Sequence, residues 1–529
     1  MNISFISPVL FVILLSLISI LIYLYKTSEL MNKRKLLFAI VFIITVFIIL
    51  NILSYRQSIP PAQKFRLAVF PLTNHGFDQN WLLQAIPEMI SSKLYRSLKD
   101  RAVVAPIEWT YKILANDSLN NKKYLTNFCE HCEFTHYFHG ELSKVDDKFL
   151  LNYELQAINR TCISETISFP IEQLLQTIEA ITQKVLGYFS FPGSAIIQPQ
   201  YSPSIQALNY YIKGYRLFLE GNYPTALDNL SDAISIDSSF AEAYSLSARS
   251  HFAMGVEKRL KNASDAIFDF KKTKYFLTKA IRLDSTNDDN YRLMGEYYIY
   301  NERWSQADIM LHKAFKLNRN NHKIYIPLSN LHNFRYKSLG FRNEEQLFNR
   351  SVYINPFFEK GYLLLSDYLL FQNKRTQAVK ILEKFLSINP NSVPALMALG
   401  KIYIVRNEMS NIKDVFNKVI ELDPDHSDAY YNLGILYYNS NDYKNASRLF
   451  NRAIAIDNHL NSYLYLAYIS ELEGDLDKAI EYLRKRVHFK TGSDDEFAEE
   501  ARKHLFKLIQ SDSTKRKEME SRINKGSVI

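Results

Sequence analysis

Residues 393–426 read VPALMALGKIYIVRNEMSNIKDVFNKVIELDPDH, and residues 427–460 read SDAYYNLGILYYNSNDYKNASRLFNRAIAIDNHL. These two stretches decide the fold, because residues of the same kind recur in them at a constant step of 34. The recurring pairs are Leu399 and Leu433, Gly400 and Gly434, Tyr403 and Tyr437, and Phe416 and Phe450, and Pro424 follows Pro390, just before the first stretch, by the same step. A period of this length is typical of stacked helical hairpins. Small residues let two antiparallel helices approach, and bulky residues fill the gap to the next pair.

The period extends in both directions along the chain. Ala378, Ile412 and Ala446 keep the step of 34, and Ala479 follows after 33. The order of bulky residue, Leu-Gly, Tyr, Ala, aromatic residue, Ala and Pro resembles the tetratricopeptide repeat (TPR). We therefore predict a mainly α fold class, with a TPR α-solenoid over 205–510. Its eight repeats are 207–240, one from Ala241 to Ala280, 288–321, 322–358, 359–392, 393–426, 427–460 and 461–493. A capping helix at 497–510 and a charged tail at 511–529 are expected to follow the repeats.

The composition agrees with a large globular core. Only 15 glycines and 16 prolines occur in 529 residues, while 47% of the residues are hydrophobic and 22% charged. This composition argues against a disordered chain and against turn-rich sandwiches or propellers. The 64 basic and 55 acidic residues nearly balance, which argues against a dedicated nucleic-acid binder.

The first 56 residues predict a transmembrane hairpin. Residues 5–25 and 36–55 carry no charge, and each run is long enough to span a bilayer. The connecting loop, 26–35, has four basic residues and one Glu, which favours a cytoplasmic loop. A hairpin places both of its ends on the same side, so everything after the linker at 57–64 is expected to be extracytoplasmic.

Residues 65–195 predict a small α+β domain. It contains the strings FRLAVFPLTN (65–74), WLLQAIPEMISSKL (81–94) and YFHGELSKVDDKFLLNYELQ (137–156). These strings resemble the TolB amino-terminal-like domain, with Gly140 at the position of the hairpin glycine of that family. The resemblance implies a protein of the bacterial envelope and brings no catalytic residues. With the hairpin, it predicts a bacterial inner-membrane protein whose soluble domains are periplasmic.

Three cysteines lie in this domain: Cys129, Cys132 and Cys162. The first two form a Cys-x-x-Cys, and His136 and His139 follow, so that zinc or a redox pair could be considered. The two histidines lie three apart on a predicted strand and therefore face opposite sides. We predict no metal. In an oxidising compartment Cys162 is expected to pair with Cys129 or Cys132, with buried free thiols as the alternative.

The first helix of each repeat lines the concave surface of a TPR array, as the resemblance implies. Aromatic and basic residues dominate binding hot spots, and several occupy this surface beside Phe218 and Glu296. The predicted partner-binding residues are Tyr211, Tyr215, Arg249, Arg292, Tyr300, Lys401, Tyr431, Tyr438 and Tyr468. The alternative is that some of these aromatic side chains pack between neighbouring repeats.

Known catalytic signatures are absent from the sequence. It has no Gly-rich phosphate loop, no His-Glu-x-x-His and no Gly-x-Ser-x-Gly. We therefore predict a non-enzymatic, membrane-anchored scaffold that takes no cofactor and binds a protein or peptide in the concave groove. One alternative is a sensory or regulatory subunit of an envelope signalling system. Another is an enzyme with an unrecognised site in the α+β domain.

Overall fold

The computed structural model describes residues 65–75, 81–99, 101–105, 109, 121–189, 201–202, 204–261, 263–489 and 495–511. The chain divides into two compact units, Met1–Gly361 and Tyr362–Ile529. The predicted membrane helices at 5–25 and 36–55, their loop and the linker lie outside the described residues. Among the described residues, no helix combines the length and the apolar character needed to cross a membrane.

The first unit begins with one mixed sheet. Its strands are β1 (Arg66–Val69), β2 (Thr73–His75), β3 (Val103–Ala105), β4 (His136–Val145), β5 (Lys148–Ala157) and β6 (Arg160–Phe169). The order is β3-β1-β4-β5-β6, and β2 pairs with β4. The strands β3, β1 and β4 are parallel, whereas β4, β5 and β6 form an antiparallel meander. The turn between β4 and β5 lies at Asp146, whose φ is 55°.

Gly140 shows why the hairpin requires a glycine. A Cβ atom at this position would lie 2.5 Å from the backbone oxygen of Asn152 on the neighbouring strand. A side chain would therefore push β4 and β5 apart.

Among the described residues, three helices pack on this sheet: α1 (Leu82–Leu98), α2 (Lys122–His131) and α3 (Leu174–Tyr188). Helices α1 and α3 share a core with one face of the sheet. Helix α2 lies on the opposite face, where the rings of Phe70 and Phe128 are 5.9 Å apart and Thr126 is hydrogen-bonded to Tyr137. The region is therefore a small α+β layer structure, as predicted.

Helical hairpins follow in the first unit. They are built from α4 (Ile205–Leu219), α5 (Tyr223–Ile236), α6 (Ala241–Leu260), α7 (Ala266–Leu283), α8 (Asp288–Tyr300), α9 (Trp304–Leu317), α10 (Tyr325–Ser329) and α11 (Glu344–Ile354). In the third hairpin a Cβ on Gly295 would lie 2.6 Å from Leu311, which explains the small residue there. The fourth repeat departs from the pattern, because 3₁₀ segments at His322–Ile324 and His332–Leu339 flank the short helix α10.

The second unit continues the hairpins. Its helices are α12 (Glu359–Phe371), α13 (Arg375–Ile388), α14 (Val393–Arg406), α15 (Met409–Leu422), α16 (Ser427–Asn439), α17 (Tyr443–Asp457), α18 (Leu460–Leu472), α19 (Leu476–His488) and α20 (Glu496–Ser511). Asn373, Asn407 and Asn441, spaced by 34, have positive φ of 57–59° at the hairpin turns. The helices and their turns therefore repeat together, and the predicted TPR fold is confirmed.

Candidate partner-binding surface

The nine predicted partner-binding residues divide between the two units. Tyr211, Tyr215, Arg249, Arg292 and Tyr300 belong to the first, and the other four belong to the second. The two groups lie in different surroundings and are described separately.

Helix α1 covers the inner helices of the first unit. Arg96 on α1 forms ion pairs with Glu242 at the start of α6 and with Asp284 after α7. The side-chain amide of Asn320 donates to the backbone oxygen of Ala102 at 3.0 Å. A single hydrophobic core runs from the sheet through α1 and α4 to Leu246 on α6. The α+β layer and the first hairpins are therefore packed as one body.

This packing buries the first predicted residues. Tyr211 and Tyr215 are each only 4% exposed, and they line a cavity of about 130 Å³ together with Arg249 and with Arg96 from α1. Arg292 is buried at the start of the third hairpin. Its guanidinium lies 2.6 Å from Asp289 Oδ1 and 2.9 Å from Glu296 Oε1. Tyr211, Tyr215 and Arg292 are therefore buried, whereas Arg249 is half-buried at the cavity.

Carboxylates and cations face each other around this cavity. Burial, followed by the neighbouring charge of Asp289, raises the pKa of Asp288 to about 6. Asp288 also accepts a hydrogen bond of 2.8 Å from the side-chain amide of Asn321. Burial likewise raises the pKa of Glu242, although Arg96 opposes it. The pKa of Asp289 falls well below its usual range despite burial, because Arg292 neutralises it.

Tyr300 lies elsewhere in the first unit, at an apolar groove of about 470 Å³. Its ring stacks on Phe270 at 5.7 Å and meets Phe252 edge-on at 5.4 Å. Leu260, which is 80% exposed, lies at the rim. The groove is open, but Tyr300 forms part of its packed wall.

In the second unit, the structure brings the predicted tyrosines together through a residue that sequence analysis missed. Tyr465 lies 5.8 Å from Tyr431, 5.3 Å from Tyr438 and 6.2 Å from Tyr468 between ring centroids. All four rings are half-buried, and we call them the tyrosine row. Tyr465 follows Tyr431 by 34 residues, so the repeat period itself carried the signal.

Charged groups flank the tyrosine row. His459 lies 4.3 Å from the ring of Tyr431 and 3.1 Å from Asp428 Oδ1. The hydrogen bond from His459 lowers the pKa of Asp428, and Lys401 contributes in the same direction. At the other end Tyr468 donates to Glu500 Oε1 at 2.6 Å. The row is therefore an aromatic surface with a charged group at each end.

The three cysteines are free thiols in the structure, which differs from the expected disulfide. The sheet separates them, because Cys129 lies on α2 at one face while Cys162 Sγ donates to Tyr188 Oη of α3 at the other, at 3.0 Å. His136 faces Tyr188, whereas His139 lies beside Glu154 on the opposite face. No cluster of metal-ligating side chains occurs in the part of the chain that the structure describes.

Two family models described as tetratricopeptide repeat match residues 359–392 and 415–446. The chain is similar to a crystal structure of MamA, with 21% identity and a TM-score of 0.27; the match covers 32% of this chain and 90% of MamA. It is also similar to a crystal structure of PilW, a type IV pilus biogenesis factor, with 14% identity and a TM-score of 0.33; this match covers 39% of this chain and 96% of PilW. A third similar structure is that of yeast Tom70, with 16% identity and a TM-score of 0.40; the match covers 65% of this chain and 77% of Tom70. No curated protein sequence matches. The chain thus contains tetratricopeptide repeats.

Proposed function

We propose that this TPR-containing chain is an interaction scaffold that binds a protein or peptide partner at the tyrosine row. The observation that carries the proposal is the contact of four half-buried tyrosine rings on neighbouring inner helices. Tyrosine provides a large contact area at low rotamer cost and keeps a hydroxyl for hydrogen bonding. A partner segment with apolar side chains matches the rings, and its charged groups match Lys401, Asp428 and Glu500.

The first unit supports this choice of surface. Tyr211 and Tyr431 both occupy the fifth position of their repeats, yet Tyr211 is buried beneath α1 whereas the ring of Tyr431 reaches solvent. Binding at the inner helices of the first unit would require α1 to leave, which would break the ion pairs of Arg96 with Glu242 and Asp284.

The test is the double substitution Tyr431→Ala with Tyr438→Ala. We expect partner binding to weaken by about 2–4 kcal/mol, the range of a hot-spot pair. The partner is first obtained by affinity capture from detergent-solubilised membranes, and its affinity is then measured by calorimetry. The matched control is Tyr430→Ala with Tyr482→Ala, two half-buried tyrosines outside the row.

A melting curve on the same variants separates binding from folding. Tyr431 also packs 6.0 Å from Phe450, so some loss of stability is expected from both pairs of substitutions. Undiminished binding by a destabilised Tyr431/Tyr438 variant would mean that the row belongs to the core and that the partner binds elsewhere.

Membrane anchoring is part of the proposal and rests on the sequence. Residues 5–25 and 36–55 would hold the protein in the lipid bilayer of a bacterial inner membrane, with a TolB-like domain at 65–195 and the repeats in the periplasm. Alkaline phosphatase fused after Ile529 should then be active. A reporter that works only in the cytoplasm, if active at this position, would reverse the orientation.

A second candidate function is that of a sensory subunit. It is favoured by the cavity between α1 and the inner helices of the first unit, because a ligand there would touch both the α+β layer and the repeats. The test is whether a small molecule that raises the melting temperature of the first unit also changes the affinity of the chain for its partner.

A further inference from the structure

The cavity beneath α1 has the features of a ligand site, and it is independent of the tyrosine row. We propose that it binds a small zwitterion of the free amino-acid class. The size, the charges and one buried amide each support this inference.

The size of the cavity limits the ligand. Its volume is about 130 Å³, and an apolar cavity of about 150 Å³ is known to accept benzene. A ligand of about six to eight non-hydrogen atoms therefore fits. Small amino acids such as alanine and serine have this size.

The wall of the cavity presents both signs of charge. Asp288 and Asp289 are adjacent on α8, and Arg249 on α6 and Lys323 lie across the same cavity. Arg249 and Lys323 both act on the charge of Asp289. An ammonium group beside Asp288 would reduce its repulsion with Asp289, and a carboxylate would find Arg249 and Lys323. A zwitterion can meet both signs of charge at once, whereas a ligand with a single charge can meet only one of them.

Asn290 provides an independent observation. It lines the cavity, its side chain is 3% exposed, and its Nδ2 donor has no hydrogen-bond partner in the structure. Buried donors are rarely left unsatisfied in native proteins. A ligand carboxylate would supply the missing acceptor. The rings of Trp109 and Tyr215 form further parts of the wall, and aromatic faces attract ammonium groups.

Calorimetry on the full chain in detergent tests the proposal. The probes are L-alanine, L-serine and L-threonine, compared with propylamine and propionate, which carry one charge each. We expect at least one amino acid to bind with 1:1 stoichiometry, at least tenfold more tightly than either singly charged compound. The proposal is overturned if no amino acid binds, or if propylamine or propionate binds as tightly.

Two variants locate the site, and each has a matched control. Asp288→Asn and Arg249→Gln should each weaken amino-acid binding at least tenfold, whereas Asp232→Asn and Arg282→Gln, at exposed positions, should change it less than twofold. Asp288→Asn removes a buried charge, so its melting temperature should not fall. Wild-type affinity in the folded Asp288→Asn variant would place the amino acid elsewhere and overturn the proposal. Binding should be unaffected by Tyr431→Ala with Tyr438→Ala, which separates this outcome from that of the proposed partner surface.

Discussion

The inner helices of the two units carry tyrosines at the same repeat position, but in different environments. Tyr211 is 4% exposed beneath α1, while Tyr431 is half-buried among rings that reach solvent. The repeat position therefore determines which face a residue occupies, but it does not determine whether that face is available. Availability depends on what packs against the face, and in the first unit a segment outside the repeats does so. The following predictions test this difference.

The largest effect is expected for Arg96→Ala, which would open the covered face. The substitution leaves the half-buried carboxylates of Glu242 and Asp284 without their cation, and such a loss costs up to about 3–5 kcal/mol. Urea unfolding measures the loss in the free energy of unfolding, and hydrogen exchange of the α1 amides shows whether α1 opens. Arg282→Ala, at an exposed position on α7, is the control. A loss below about 1 kcal/mol for Arg96→Ala would mean that these ion pairs do not hold α1 in place.

A smaller effect is expected for Asp288→Asn beneath the same helix. The pKa of Asp288 in the folded protein is about 6, above its ordinary value of 3.8. Burial and the charge of Asp289 raise this pKa, and the positive charge of Arg96 opposes the increase. The carboxyl group therefore contributes stability that is complete below pH 4 and is lost as the pH rises through 6. The variant should lack this decline and be more stable at pH 7 by up to about 3 kcal/mol.

Unfolding curves from pH 4 to pH 8 check this prediction. Asp232→Asn, at an exposed position of α5, should keep the wild-type pH dependence. An Asp288→Asn variant that loses stability in parallel with the wild type between pH 4 and pH 6 would contradict the assignment to this carboxyl group.

The smallest effect on stability is expected from a change in helix packing within the second unit. Gly434→Ala would place a Cβ atom 2.7 Å from the ring of Phe450, and overpacking of this kind costs about 1–3 kcal/mol. Gly187→Ala on α3, where a Cβ would meet nothing within 4 Å, should instead stabilise the protein by about 0.5–1 kcal/mol. Thermal melting of both variants gives the comparison. Equal effects of the two substitutions would mean that the close contact with Phe450 does not require glycine at position 434.

The sequence was informative where contacts repeat. The step of 34 between Gly400 and Gly434 predicted the helical hairpins, because each repeat makes the same contact with its own second helix. Tyr465 could have been found in the same way. The packing of α1 against the repeats had no such signal in the sequence. The ion pair between Arg96 and Glu242 is a single contact, not a repeated one, and it joins residues that are 146 positions apart. The compartment argument for a disulfide likewise says nothing about which face of the sheet each cysteine occupies, and the structure has Cys129 and Cys162 on opposite faces.

The ion pairs and hydrogen bonds that hold the α+β layer to the repeats of the first unit also affect how the chain folds during its synthesis. Arg96 meets Asp284 across 188 residues, and Arg66 donates to the backbone oxygen of Tyr353 across 287. At roughly 5–20 residues per second, a ribosome needs about 15–60 s to synthesise the longer of these intervals. Until Asp284 has been made, Arg96 on α1 lacks one of its partners, although the sheet and α3 can already cover the apolar face of this helix. Each hairpin, in contrast, can close soon after its second helix appears. The α1 amides of a nascent chain that ends before Asp284 should therefore exchange hydrogen faster than those of a chain that extends past Gly361.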